Sequence, residues 1–270
     1  MIGDNRPIGV FDSGIGGLTV VKELMEYLPN EEIIYLGDTA RVPYGTKSKE
    51  TVTRFAFECA DFLMSKEVKM LVIACNTISA SSLDEIEAKF PIPVQGVIIP
   101  GARAAVRATK TKRIGIIGTE RTISSGAYID AIRALDNEIE IFPKACPLFV
   151  PLAEEGWLDI EVTYLTAIEY LAPFKLKGID TLVLACTHYP LLKGVIQRVV
   201  GRRITLIDSA DETAKTVAET LKKMKLERMS DTLPSHHFYV TDNPNKFMQV
   251  GERFLNKEIR NIEEIDITNI

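Results

Sequence analysis

The chain has 270 residues, 46% hydrophobic and 26% charged, the composition of a globular protein with room for one large α/β core or two smaller ones. Lysine and arginine number 32 against 37 aspartate and glutamate, so the formal net charge is −5, which weighs against general nucleic-acid or anionic-membrane binding. No apolar run reaches the length of a membrane span and the first residues hold no secretory core, so a cytoplasmic location is expected.

In chain order, residues 8–11 read as a strand, 12–17 (Asp-Ser-Gly-Ile-Gly-Gly) as a glycine-rich turn, and 18–28 as a helix closed by Pro29 and Asn30. A second strand over 33–36 leads into a polar loop with Asp38, Pro43, Tyr44 and Gly45. A helix over 49–66 puts Phe55, Cys59 and Phe62 at i, i+4, i+7 on one face, which makes Cys59 a core residue. The run 70–77, Met-Leu-Val-Ile-Ala-Cys-Asn-Thr, is the kind of strand that is buried on both faces of a parallel sheet, and it turns polar directly after Cys75. A helix over 79–89, a break at Pro91 and Pro93, and a strand over 94–98 complete this plan.

The plan then restarts. Residues 114–119 align with 8–13 at an offset of 106, and 138–141 align with 32–35 at the same offset. The run 181–188, Thr-Leu-Val-Leu-Ala-Cys-Thr-His, repeats the Ala-Cys strand end, with Cys186 lying 111 residues after Cys75. Residues 203–208 lie opposite 93–98 at an offset of 110. Four strands in one order, with insertions confined to loops, imply an internal duplication. Ser209 and Glu212 have capping-box spacing for a helix over 212–225; a linker over 229–235, a strand over 237–240 and a helix over 247–255 follow. The acidic tail has no clear role in chemistry. Strands alternating with helices set the expected fold class as α/β, two similar parallel-sheet units related by pseudo-two-fold duplication.

The four cysteines, Cys59, Cys75, Cys146 and Cys186, form no C-x-x-C pair, so free thiols are expected and a zinc site is not. Cys75 and Cys186 fall at strand ends, the edge where open α/β sheets bind ligands. Each precedes a helix start, whose partial positive charge and free N–H groups are expected to draw a thiol pKa from roughly 8.5 toward neutrality and to favour a carboxylate nearby. Two similar thiols in a pseudo-symmetric frame meet the demand of a racemase. One deprotonated group takes a proton from one face of a carbon, and a protonated group returns one to the other. Because the α-hydrogen of an amino acid is a very weak acid, position, desolvation and preorganised donors must assist.

Asp12 and Ser13 end the first strand, beside small residues that let backbone N–H groups approach an anion; the turn is neither a dinucleotide fingerprint nor a P-loop. His188, two residues after Cys186, is placed to orient or titrate with that thiol. Cys146 has no helix start after it and reads as structural, and His236 and His237 receive no role. Two other classes stay open on the residues alone: a hydrolase or amide transferase using only Cys186 and His188, and a two-lobed small-ligand binding protein.

The motifs Gly9-Val10-Phe11-Asp12-Ser13-Gly14-x-Gly16-Gly17-Leu18, Tyr35-x-Gly37-Asp38-x-x-x-x-Pro43-Tyr44-Gly45, Ala74-Cys75-Asn76-Thr77-x-Ser79 and Ala185-Cys186-Thr187-His188-Tyr189-Pro190 are those by which the chain resembles the glutamate racemases of the pyridoxal-independent aspartate/glutamate racemase family. The resemblance implies Cys75 as the thiol acting on D-glutamate and Cys186 as the one acting on L-glutamate. It implies Asp12 and His188 as auxiliary groups beside them, and Glu155 as a glutamate that supports the histidine. Asp12-Ser13, Tyr44-Gly45, Asn76-Thr77 and Thr187-His188 match positions that hold the substrate. It further implies no cofactor, D-glutamate supply for peptidoglycan, a homodimer, and two α/β domains (1–98 plus 211–270, and 99–210) with the active site in the cleft between them. The nearest rival within this resemblance is an aspartate racemase, separated only by pocket shape.

Overall fold

A computed structural model describes residues 3–268. The first unit runs β1 (Ile8–Asp12), α1 (Leu18–Tyr27), β2 (Ile33–Gly37), α2 (Lys49–Ser65), β3 (Met70–Ile73), α3 (Asn76–Lys89) and β4 (Val94–Gly96). Helix α4 (Ile98–Ala108) leads to β5 (Arg113–Gly118), α5 (Glu120–Ser125), α6 (Ala127–Leu135), β6 (Glu140–Ala145), α7 (Phe149–Glu154), α8 (Glu161–Leu171), β7 (Thr181–Ala185), α9 (Lys193–Val200) and β8 (Thr205–Asp208). Helix α10 (Ser209–Met224) then returns the chain, and β9 (His237–Val240), α11 (Pro244–Leu255) and β10 (Ile262–Glu264) finish it.

All the strands pair in parallel, in two sheets: β10-β9-β2-β1-β3-β4 and β6-β5-β7-β8. The four-strand order of the first sheet's core, β2-β1-β3-β4, is therefore repeated by the whole of the second. The last two strands of the chain join the first sheet beside β2.

The repeat is close enough to be read in register. Ile8 pairs with Met70 and Ile114 with Thr181, so offsets of 106 and 111 carry one central pair onto the other. The outer strands correct the sequence alignment. Ile33 beside Ile8 corresponds to Ile141 beside Ile114, an offset of 108 rather than 106. Val94 beside Leu71 corresponds to Leu206 beside Leu182, an offset of 112 rather than 110. Both differ by two residues, the side-chain period of a strand, so hydrophobic pattern alone does not separate the two registers.

Alternation along β3 sends Val72 and Ala74 into the layer that holds Val10 and Tyr35, and Leu71, Ile73 and Cys75 into the layer that holds Phe11 and Leu36. Along β7 the same parity sends Val183 and Ala185 one way, and Leu182, Leu184 and Cys186 the other. The Ala-Cys step therefore leaves both thiols on equivalent faces of equivalent strands. Cys59 is fully buried in α2, as its helical spacing predicts.

Some expected boundaries differ. Helix α3 begins at Asn76, three residues earlier than expected, and β4 stops at Gly96 because Ile98 already starts α4. The N-cap of α10 is Asp208, whose carboxylate accepts the Ala210 N–H at 3.1 Å, so Ser209 is the first helical residue and the capping box is not formed. A helix does follow Cys146, with α7 starting at Phe149, yet Cys146 is fully buried in the core. Among the described residues no helix is long and apolar enough to cross a membrane.

Candidate active site between the two sheets

Both repeated strand ends open on one cavity of about 330 Å³. Cys75 and Cys186 line it together with Ser13, Tyr44, Gly45, Asn76, Thr77, Thr187 and His188. Among the described residues no lysine or arginine lines this cavity; its donors are hydroxyls, an amide, an imidazole and backbone N–H groups at helix starts.

Cys75 is the N-cap residue of α3, with extended backbone angles of φ −77° and ψ 123°. Its Sγ lies 3.5 Å from the Ser13 hydroxyl. Burial, then the negative charge of Asp12, push this thiol up to about 12, and the Ser13 hydroxyl and Ile78 N–H offset only part of the rise. The expected downward shift from the helix start is thus overturned at Cys75, because desolvation outweighs the N-terminal donors. Asp12 is fully buried beneath Ser13 and does not line the cavity. One of its oxygens accepts the Gly14 and Gly17 N–H groups at 3.1 and 3.0 Å, and the other has no hydrogen-bond partner among the described residues.

Cys186 has a different neighbour. Its Sγ is 3.8 Å from His188 Nδ1, and the other ring nitrogen is 3.0 Å from Glu154 Oε1. Burial alone would lower the histidine pKa, but hydrogen bonds to Cys186 and Glu154 outweigh it and raise the imidazole from 6.5 to about 10. Burial likewise raises the Glu154 carboxyl, yet the bond to His188 holds it below its ordinary value. The phenyl ring of Phe254 packs edge-on against the imidazole, centroids 5.6 Å apart.

The supporting glutamate is therefore Glu154 and not Glu155, which is exposed. One step along a helix turns a side chain by about 100°, enough to move it from the cavity to solvent. Adjacent glutamates make the two indistinguishable by sequence pattern.

The two units also brace each other reciprocally across the cavity. A Cβ on Gly16, in the turn after β1, would lie 2.6 Å from His188 Nδ1 of the second unit. At the corresponding place after β5, Thr122 hydrogen-bonds across to Thr77 of the first unit at 3.3 Å, and Thr119 bonds Thr77 at 3.0 Å. Tyr44 is buried with its hydroxyl donated to Asp38, which also pairs with Arg41 at 2.6 Å. A Cβ on Gly45 would come 2.7 Å from the Thr119 Cβ, so a side chain there would push the loop off the second unit.

Residues that sequence reasoning missed include Thr119, Glu120, Pro147, Val150, Pro151 and Glu154, all on the second unit's wall of the cavity. Thr119 carried a signal, since it lies 106 residues after Ser13 and is its counterpart. Glu120 lies on the same repeated turn, opposite Gly14, whose lack of a side chain gave no hint of a carboxylate there; Pro147, Val150, Pro151 and Glu154 lie beyond the repeated strands.

The Asp/Glu/Hydantoin racemase family model matches residues 8–217. A glutamate racemase of Geobacter metallireducens is 53% identical over 262 residues, 97% of each chain. A solved glutamate racemase of Francisella tularensis in complex with D-glutamate superposes with a TM-score of 0.93 at 45% identity, covering 99% of this chain and 100% of that one. Another, from Bacillus anthracis, gives a TM-score of 0.93 at 40% identity, covering 97% of this chain and 98% of that one. The chain belongs to the Asp/Glu/hydantoin racemase family.

Proposed function

We propose that this chain interconverts L- and D-glutamate by 1,1-proton transfer between Cys186 and Cys75, without a cofactor. The observation that carries the reading is that two cysteines from equivalent strand ends line one cavity, one beside an anion and the other beside an imidazole. The chain's high identity to proteins named glutamate racemase supports glutamate as the substrate.

In the L-to-D direction the Cys186 thiolate, with the His188 imidazolium as counter-ion, takes the α-proton. Cys75, held as a thiol by burial and Asp12, gives a proton to the opposite face. Negative charge develops on the α-carboxylate oxygens as the proton leaves, and N–H donors at the start of α3 and in the Tyr44–Thr46 turn are suited to stabilise it. Ser13, Asn76, Thr77, Thr187 and His188 supply further polar contacts to the substrate. D-glutamate runs the same steps in reverse, with the two thiols exchanging roles. Glu154 keeps the imidazole charged and oriented. The same reading takes the protein as cytoplasmic and homodimeric, supplying D-glutamate for peptidoglycan, with domains 1–98 plus 211–270 and 99–210.

The test follows each glutamate enantiomer, with aspartate alongside, in deuterated water for the wild type and for Cys75→Ser and Cys186→Ser. Racemisation with α-deuterium incorporation is expected for wild-type protein stripped of pyridoxal phosphate and metal. Either serine variant racemising at the normal rate would sink the two-thiol mechanism. Faster turnover of aspartate than glutamate would move the substrate assignment, and amide hydrolysis without α-exchange would favour a Cys-His hydrolase.

A further inference from the structure

Asn76 is the first residue of α3, is 2% exposed and lines the cavity. Its Oδ1 accepts a 2.8 Å hydrogen bond from the Tyr128 hydroxyl, and its Nδ2 has no partner among the described residues. A buried amide nitrogen is costly to leave unpaired, and as a donor it is completed only by an acceptor atom. A carboxylate oxygen in the cavity is such an acceptor.

Tyr128 belongs to α6 of the second unit and is 2% exposed, so the bond crosses from one unit to the other. Its oxygen sits where α4 and α10, which lead from one sheet to the other and back, pack together. A Cβ on Gly101 of α4 would lie 3.0 Å from that oxygen and 3.2 Å from the Ser209 Cβ at the start of α10. The phenol donates its proton to Asn76 Oδ1, which fixes the carboxamide one way round.

We propose that Tyr128 is a positioning residue: through Asn76 it holds the Nδ2 toward the cavity as a donor to a substrate carboxylate, tying the grip on substrate to the α4–α10 crossing. This rests on the amino-acid racemase reading above. It assigns a role to a tyrosine that does not itself line the cavity.

Tyr128→Phe keeps the ring and deletes the hydroxyl. KM for both enantiomers is expected to rise about tenfold, the scale of one hydrogen bond to a charged group, with kcat changing by less than about threefold. Because Tyr128 acts through Asn76, adding Tyr128→Phe to Asn76→Ala is expected to cost nothing further. An unmoved KM in Tyr128→Phe, or losses that multiply in the double variant, would overturn the proposal, since a space-filling tyrosine gives that result.

A substrate-free measurement separates this from the choice of substrate. The side-chain amide signals of Asn76 in ¹⁵N-labelled protein, identified by their absence in Asn76→Ala, are expected to shift in Tyr128→Phe and, to a smaller extent, in Gly101→Ala, whose methyl would lie 3.0 Å from the phenol oxygen. Unshifted signals in both overturn the proposal, and Gly101→Ala decides it should Tyr128→Phe fail to fold. A wild type that does not racemise glutamate would sink the substrate reading while the amide signals still decide the role of Tyr128.

Discussion

The surroundings of the two thiols differ more than the strands that carry them. Cys75 ends its strand directly at a long helix, beside a hydroxyl and above a buried carboxylate. Cys186 is followed by a short 3-10 turn over Tyr189–Leu192 and faces a histidine backed by a glutamate. One backbone plan thus holds a thiol beside a buried carboxylate opposite a thiol beside an imidazole. The duplication supplies equal positions, and the residues that differ between the halves supply unequal charge. A racemase working on a weakly acidic carbon benefits from that inequality, because one resting thiol must already carry a proton while the other is ready to accept one.

Removing either thiol should have the largest effect. Cys75→Ala and Cys186→Ala are each expected to lower kcat/KM by about 10²- to 10⁴-fold, the range for a positioned acid or base. The equilibrium constant of a racemisation is one, so kcat/KM must fall equally for both enantiomers in any variant. The two sites are instead told apart by α-deuterium exchange. Cys186→Ala should lose exchange of L-glutamate and Cys75→Ala exchange of D-glutamate. The opposite assignment would reverse the roles given to the two sites.

Breaking the support of His188, beside Cys186, should come next. Glu154→Gln removes a bond between charged groups, worth about 1.5–3 kcal/mol, and is expected to reduce kcat about 10- to 100-fold. Glu155→Gln, at an exposed position, should stay within about twofold. Equal losses in both variants would show that Glu154 does not act through His188.

The His188–Glu154 pair also makes stability depend on pH, whereas the site around Cys75 should stay silent near neutrality. His188 is raised in the folded protein, so its contribution is complete below 6.5 and fades as pH climbs toward about 10. Glu154 is lowered, so its contribution is complete above 4.5 and is lost on further acidification. The Tm difference between wild type and His188→Asn should therefore be greatest between pH 4.5 and 6.5 and shrink toward pH 10. A Tm difference that grows with pH would contradict the charged pair.

Much of this comparison was legible in the sequence, for a definite reason. The Ala-Cys strand ends are buried on both faces, so their pattern is dictated by packing and survives duplication. The turn after β1 was legible because Gly16 and Gly17 have no space for a side chain, a Cβ on Gly17 falling 2.6 Å from the Asp12 Cβ. Strand register at the sheet margins was not, since a slip of two preserves every face. Glu154 was hidden by an identical neighbour, and Tyr128 by distance, 52 residues from the amide it orients. The strand in the acidic tail was not legible, because β10 is only three residues long and mostly exposed, which leaves no hydrophobic period to detect.

The smallest expected effects test the reciprocal bracing itself, at Gly16 and its counterpart Thr122. In Gly16→Ala the new methyl meets the His188 ring edge in a packed setting, an overpacking cost of about 1–3 kcal/mol, and displacing the ring from Cys186 should lower kcat as well as Tm. Thr122→Ala removes hydroxyl contacts to Thr77 at 3.3 Å and Thr119 at 3.0 Å, costing about 0.5–1.5 kcal/mol. It touches no thiol partner, so Tm should fall slightly while kcat stays within about threefold. If Thr122→Ala instead lowered kcat as far as Gly16→Ala, the two braces would be equally coupled to the chemistry. The asymmetry would then lie only in the charges around the thiols and not in how each unit leans on the other.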